Sequence, residues 1–381
     1  MNARAREYGV LALAVAILTA GPLEAQEVQQ SLGVSVNFQG LSFDEALGIE
    51  VANLLLIPIA YRFSVNEKFS ADFYAAWAEG RVERENETFV LNGAVDTRVR
   101  LSYQASPWAV LTVGAALPTG NATHNTEEAV VASVLSSDIL GFNEATWGTG
   151  FAITTGVATV HRIGSWGFGI GASYRLADDF EPSADTVFSY SPGNESRVRL
   201  ALDRNVGESG KFTGGVTFQT FQSDQLDGRN LFQAGDRVRV DASYAFRAGS
   251  STWNAFVANL WRTDGDLSLQ LIDDTGAILG DSILSAGWQN LFMVGIGGAV
   301  PVGSTVYMHP MVDLRIQDRN DDGFDSGSGW ILRGGVDLPL RLFTAFDFFP
   351  RIRGLFGQLT AEGGESHGFW GIETGATIRF R

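Results

Sequence analysis

The stretch WGIETGATIRF at 370–380 separates into two faces when read at a period of two. Trp370, Ile372, Thr374, Ala376, Ile378 and Phe380 share one face. Gly371, Glu373, Gly375, Thr377 and Arg379 share the other. Successive side chains of an extended strand point to opposite sides. A strand that divides lipid from water needs this arrangement, apolar outward and polar or small inward.

The pattern recurs upstream. At 95–104, Val95, Thr97, Val99, Leu101 and Tyr103 oppose Asp96, Arg98 and Arg100. At 237–246, Val238, Val240, Ala242, Tyr244 and Phe246 oppose Arg237, Arg239 and Asp241. At 312–317, Val312, Leu314 and Ile316 oppose Asp313, Arg315 and Gln317. Trp330, Leu332 and Val336 oppose Arg333 and Asp337, and Phe346, Phe348, Ile352 and Phe356 oppose Asp347, Arg351 and Arg353. Arg197 and Arg199 are placed on the inner face as well.

A soluble sandwich also alternates, with its apolar face inward. The connections separate the two cases. Short turns fall near 65–68, 105–108, 163–165, 206–210, 248–250, 302–303 and 342–344. Long polar connections fall between them, near 83–91, 118–147, 177–194, 223–234, 263–285, 318–328 and 359–367. Strict short–long alternation matches periplasmic turns and extracellular loops. The chain is therefore read as all-β, a transmembrane antiparallel up-and-down β-barrel of about sixteen strands, with 31–39 as the first. If 26–50 forms a plug or periplasmic segment and one strand does not span, the number is about fourteen.

Composition agrees. Mean hydropathy is +0.04 and 18% of the residues are charged, between a typical soluble protein and a helical membrane protein. The 45 Gly and 26 Phe suit strands that bend and carry an aromatic exterior. A net charge of -16 argues against a nucleic-acid partner, which needs a basic face. The absence of Cys excludes disulfides, thiol catalysis and cysteine metal sites.

The N-terminus reads as an export signal over 1–25, with barrel from 26 to 381. Arg4 and Arg6 precede an apolar run at 10–20, Gly21 and Pro22 break it, and Leu23-Glu24-Ala25 offers a cleavage site. The longest later apolar run, 54–60, contains Pro58 and is too short for a spanning helix. Phe380, on the last strand, is the kind of aromatic terminus that barrel assembly machinery reads, although Arg381 follows it.

The inward positions carry arginine and carboxylate together: Asp96 with Arg98 and Arg100, Asp241 with Arg237 and Arg239, Asp347 with Arg351 and Arg353, and Glu373 with Arg379. Rungs of arginine and aspartate from neighbouring strands can pair and brace the wall, because an arginine fork holds a carboxylate at two points. They can also set up a field across a constriction that orients polar solutes. Loops 118–147 and 263–285 are the candidates for constriction or gating. Acidic outer loops, with Glu127, Glu128, Asp178, Asp179 and Glu181, would meet lipopolysaccharide through divalent cations. Asp318, Asn320 and Asp322, followed by Gly323, fit the first half of a calcium loop, but Gly329 occupies the position where that loop needs Glu. No other cofactor is expected. His124, His161, His309 and His367 are scattered, so no enzyme is expected.

Leu117-Pro118-Thr119-Gly120 directly follows a strand and opens the longest loop, and 166–171 is a Gly-aromatic strand. With these features the chain resembles outer-membrane transporters of hydrophobic compounds, of the long-chain fatty-acid channel type, and barrels of the phenol meta-pathway type. The resemblance implies a passive channel for hydrophobic or aromatic small molecules. The residues themselves leave open a general aqueous porin and a non-transporting surface or adhesion barrel.

Overall fold

The computed structural model describes residues 29–144, 146–185, 187–272, 278–285, 287–303, 306–320, 327–340, 346–361 and 364–380. The expected signal segment 1–25 and Asp322 of the calcium-like loop lie outside the described residues.

Strands β1 (Gln29–Phe43), β2 (Val51–Asn66), β3 (Phe69–Arg84), β4 (Glu87–Ser106) and β5 (Ala109–Leu117) lead into helix α1 (Thr126–Leu135). After it come β6 (Ala152–Ile163), β7 (Trp166–Ala177), β8 (Tyr190–Ser191), β9 (Glu195–Val206) and β10 (Gly210–Phe221). Then follow β11 (Asp224–Leu226), β12 (Arg229–Gln233), β13 (Arg237–Ala248), β14 (Ser251–Arg262), β15 (Asp266–Ile272) and β16 (Ile278–Ser285). The chain ends with β17 (Trp288–Val302), β18 (Val306–Asn320), β19 (Gly329–Asp337), β20 (Phe346–Thr360) and β21 (Ser366–Phe380).

Sixteen of these strands close an antiparallel barrel. β1 pairs with both β2 and β21, with Val36 opposite Ala376, so no edge is left open. The first strand is the one expected at 31–39, longer at both ends. Leu111, Val113, Ile170, Val240, Val312, Ile352 and Trp370 stand exposed on the outer surface. Aromatic pairs Tyr61–Phe63, Trp166–Phe168, Tyr244–Phe246 and Phe346–Phe380 lie near the end that carries the short turns. An apolar outer band with aromatics at its border is the surface a bilayer requires. No helix of the described residues is long and apolar enough to cross a membrane. The chain is thus a transmembrane β-barrel of the outer-membrane type.

Three local features differ from the sequence reading. The connection expected at 83–91 is a tight turn at Glu85 and Asn86, both at positive φ, so β3 and β4 form a long hairpin. Val95 is not on the lipid face. A register shift opposite Tyr74 and Ala76 inserts an extra residue in β4, and Val95 is buried inside the barrel. The outer connections after β7, β10 and β14 are not plain loops: β8, β11, β12, β15 and β16 form a second, five-stranded sheet. The 263–285 segment, expected as a constriction, belongs to that sheet as the hairpin β15–β16.

Candidate functional site

The connection between β5 and β6 folds into the barrel. Its two ends are tied to the β4 bulge. The Asp96 carboxylate accepts the backbone N–H of Gly120 at 3.0 Å and that of Thr149 at 2.8 Å. The Asp96 N–H donates to the Trp147 carbonyl at 2.8 Å. The Thr97 N–H donates to the Thr119 hydroxyl at 2.8 Å. A side chain on Gly120 would sit 1.9 Å from the Trp147 carbonyl oxygen, so only glycine fits there. The Thr119-Gly120 pair that drew attention in the sequence is therefore the hinge by which the loop enters the lumen.

The loop's apolar face lies against the inner wall. α1 is capped by Asn125 and Glu128, which satisfy each other's backbone N–H groups. Val131 and Leu135 pack against Gly80, where a Cβ would come within 2.6 Å of Leu135. Trp147 is fully buried and its indole N–H donates to the Ala78 carbonyl at 3.0 Å. Leu41, Leu54, Leu56, Val82, Leu91 and Val95 complete this core. On the same wall the Gln39 amide donates to the Leu140 carbonyl at 3.1 Å, and across the lumen Gln289 reaches Asp138 at 3.2 Å. Contacts to β1, β4 and β17 mean that the loop bridges the bore. It is the constriction expected at 118–147.

The inward charges fall into two kinds. The first is a shielded network on β18–β21. Glu373 is contacted by Arg333 at 3.4 Å, Arg351 at 3.2 Å and Arg353 at 3.0 Å. Arg333 also holds Asp313 at 2.9 Å, and Arg351 and Arg353 hold Asp337 at 3.2 and 3.0 Å. Arg315 approaches Asp313 at 3.6 Å and lies beneath Gly141 of the loop. Side-chain exposure here falls to 4% at Asp313 and Glu373.

The second kind faces open space. Asp72 joins Arg62 at 2.5 Å and Arg100 at 2.7 Å. Arg98 meets Glu144 of the loop at 2.5 Å and stacks over Tyr74. Arg199 grips Asp241 with two bonds of 2.8 and 2.9 Å, and Arg239 approaches the same carboxylate at 3.8 Å. Arg197 meets Glu195 at 2.8 Å. These arginine side chains are 42% to 61% exposed. They border two cavities, one of about 1280 Å³ beside the loop and one of about 640 Å³ against β9, β10, β13 and β14.

Most of these ion pairs run between neighbouring strands: Arg100 with Asp72, Arg333 with Asp313, and Arg351 and Arg353 with both Asp337 and Glu373. Asp96 serves the loop backbone rather than Arg98 and Arg100. Glu373 pairs with Arg333, Arg351 and Arg353 rather than Arg379, whose guanidinium lies 5.1 Å over Phe349. Arg237 stacks 5.0 Å over Phe221, and Asp347 is buried near the turn end of β20. Which carboxylate meets which arginine is decided by register between strands, which spacing along one strand does not reveal. The reading also missed Arg62, Asp72, Tyr74, Glu144 and Arg175.

Asp318 and Asn320 end β18 as exposed residues. Among the described residues no group of three or more His, Asp or Glu is arranged to hold a metal. His161 stacks on Trp108 near a short turn, and His367 faces Asp44 at 3.6 Å at the outer rim. His309 sits within β18, and His124 lies in the inward loop.

No protein-family model and no curated protein matches the chain. Among solved structures, OccK11 of Pseudomonas aeruginosa is 9% identical with a TM-score of 0.48, covering 93% of this chain and 96% of that one. A mutant of TodX, a monoaromatic hydrocarbon channel, is 10% identical with a TM-score of 0.45, covering 93% and 91%. An anion-selective porin from Comamonas acidovorans is 14% identical with a TM-score of 0.42, covering 93% and 100%. At these values the likenesses carry no argument about solute.

Proposed function

We propose that the chain is a passive channel of the bacterial outer membrane that lets small molecules across. The observation that carries this is the lumen itself. A sixteen-strand barrel is wide, and the inward loop narrows it without filling it, leaving a cavity of about 1280 Å³ lined by arginine, aspartate, threonine and glycine. A barrel that served only as a surface scaffold has no need of a hydrated, charged interior. The half-exposed arginines at the cavity favour water-soluble solutes.

A second reading, passage of hydrophobic or aromatic compounds, is favoured by one observation. Leu54, Leu56, Val82 and Val95 form an apolar inner stripe, now covered by α1 and Trp147. Displacement of the loop would bare it. On either reading, residues 1–25 direct export, the assembly machinery inserts the barrel, and the outer connection with Asp178, Asp179 and Glu181 lies against lipopolysaccharide. Glu127 and Glu128 belong instead to α1 of the inward loop.

Liposome swelling with uncharged sugars of increasing size tests the proposal. Swelling with small sugars and exclusion of larger ones supports a narrowed aqueous channel. No swelling by a correctly folded barrel, with or without toluene-type solutes, would turn the reading towards a surface structural role.

A further inference from the structure

We propose that the lumen selects small oxyanions, carboxylates foremost, an inference that rests on the channel reading above. The larger cavity is lined by Arg62, Arg98, Arg100, Arg175, Arg197 and Arg379, against Asp72 and Asp96. Asp96 is closed to solute: it is buried, and the N–H groups of Gly120 and Thr149 occupy its oxygens. Asp72 is one carboxylate between two guanidinium groups. Glu144 and Glu195 answer Arg98 and Arg197. Among the described residues, no carboxylate lies within ion-pair distance of Arg175 or Arg379.

The excess continues in the neighbouring cavity. There Arg197, Arg199, Arg237 and Arg239 face Asp241 as the lining carboxylate. The lumen thus carries the opposite sign to the chain as a whole, whose net charge is -16. Low-dielectric walls focus such a field into the bore and raise the local concentration of counter-ions. Arginine adds chemistry to charge. Its fork binds two oxygens of one carboxylate or phosphate, and its weak hydration lets a solute be held and released.

The test is the zero-current potential of the purified full-length protein in a planar bilayer under an asymmetric KCl gradient, followed by added succinate. The sign expected is that of chloride preference. The double variant R175Q/R379Q, checked for heat-modifiable migration as a folded barrel, should move the potential towards zero. Succinate should lower the chloride current of the wild type and lower it less in the variant. A conducting protein that prefers potassium, or shows no preference, overturns the inference and leaves the channel reading standing. Chloride preference without any effect of succinate overturns the oxyanion assignment. No conductance at all overturns the channel reading, and this inference with it.

Discussion

Asp96 of the barrel wall accepts the backbone N–H of Gly120 at 3.0 Å, and this bond fixes the point where the constricting loop turns into the lumen. The same carboxylate takes the Thr149 N–H at the loop's other end. One buried side chain therefore closes a loop more than twenty residues long. Hydrogen bonds to a charged group contribute about 1.5–3 kcal/mol each. Asp96→Ala should leave the barrel closed but release the loop. Single-channel recordings should then show a larger and noisier conductance than the wild type.

Gly120 meets a stricter limit. A methyl group there would lie 1.9 Å from the Trp147 carbonyl oxygen, a backbone atom that cannot swing aside. Gly120→Ala should displace the loop at a cost of about 1–3 kcal/mol, typical of overpacking. Limited proteolysis of the variant should nick the segment 118–151 faster than in the wild type. Equal resistance would mean that the loop is held elsewhere.

The two kinds of charge pairing should differ in stability. Glu373 is shielded and shared by three arginines. Glu373→Gln removes the carboxylate that the three cations share and leaves them only Asp313 and Asp337, and breaking a buried pair costs about 3–5 kcal/mol. Asp241→Asn acts on arginines that are half exposed, where a pair contributes about 0–1 kcal/mol. The urea midpoint in detergent or lipid should fall clearly for the first variant and little for the second.

His124 links the inward loop to an outer one. Its N–H donates to the Pro182 carbonyl, and its carbonyl accepts from Ala184, each at 2.9 Å. Burial holds its imidazole below the ordinary value of 6.5, against a smaller pull from Glu128. A base whose pKa is depressed in the folded state binds fewer protons than when released. The loop contact should be intact above pH 6.5, weaken as the pH falls through that value, and level off below the depressed folded pKa. Hydrogen exchange of 118–151 at neutral and acidic pH should show this, and His124→Gln should abolish the dependence.

The barrel was legible because most strands have lipid on one side and water on the other, which writes a period of two into the sequence. β2 and the outer half of β3 hid from that reading. Leu54, Leu56, Ala76, Ala78 and Val82 face inward yet are apolar, because the helix covers them. Arg62, Asp72 and Tyr74 were missed for this reason, lying on strands with no clean alternation. The β4 bulge at Asp96 changes the phase, so Val95 and Asp96 both face the interior. Asp227-Gly228, both at positive φ, joins β11 to β12 and is a hairpin signal visible in the sequence of the outer connection. Inter-strand ion pairs depend on register, which no single strand encodes.

The central claim is that a narrowed, hydrated bore crosses this barrel, and single-channel conductance of the wild-type protein in planar bilayers tests it most directly. The account predicts discrete, stable openings, smaller than those of the Asp96→Ala variant with its loop released. Folded barrels that insert yet pass no current, with the loop tied or released, would contradict it.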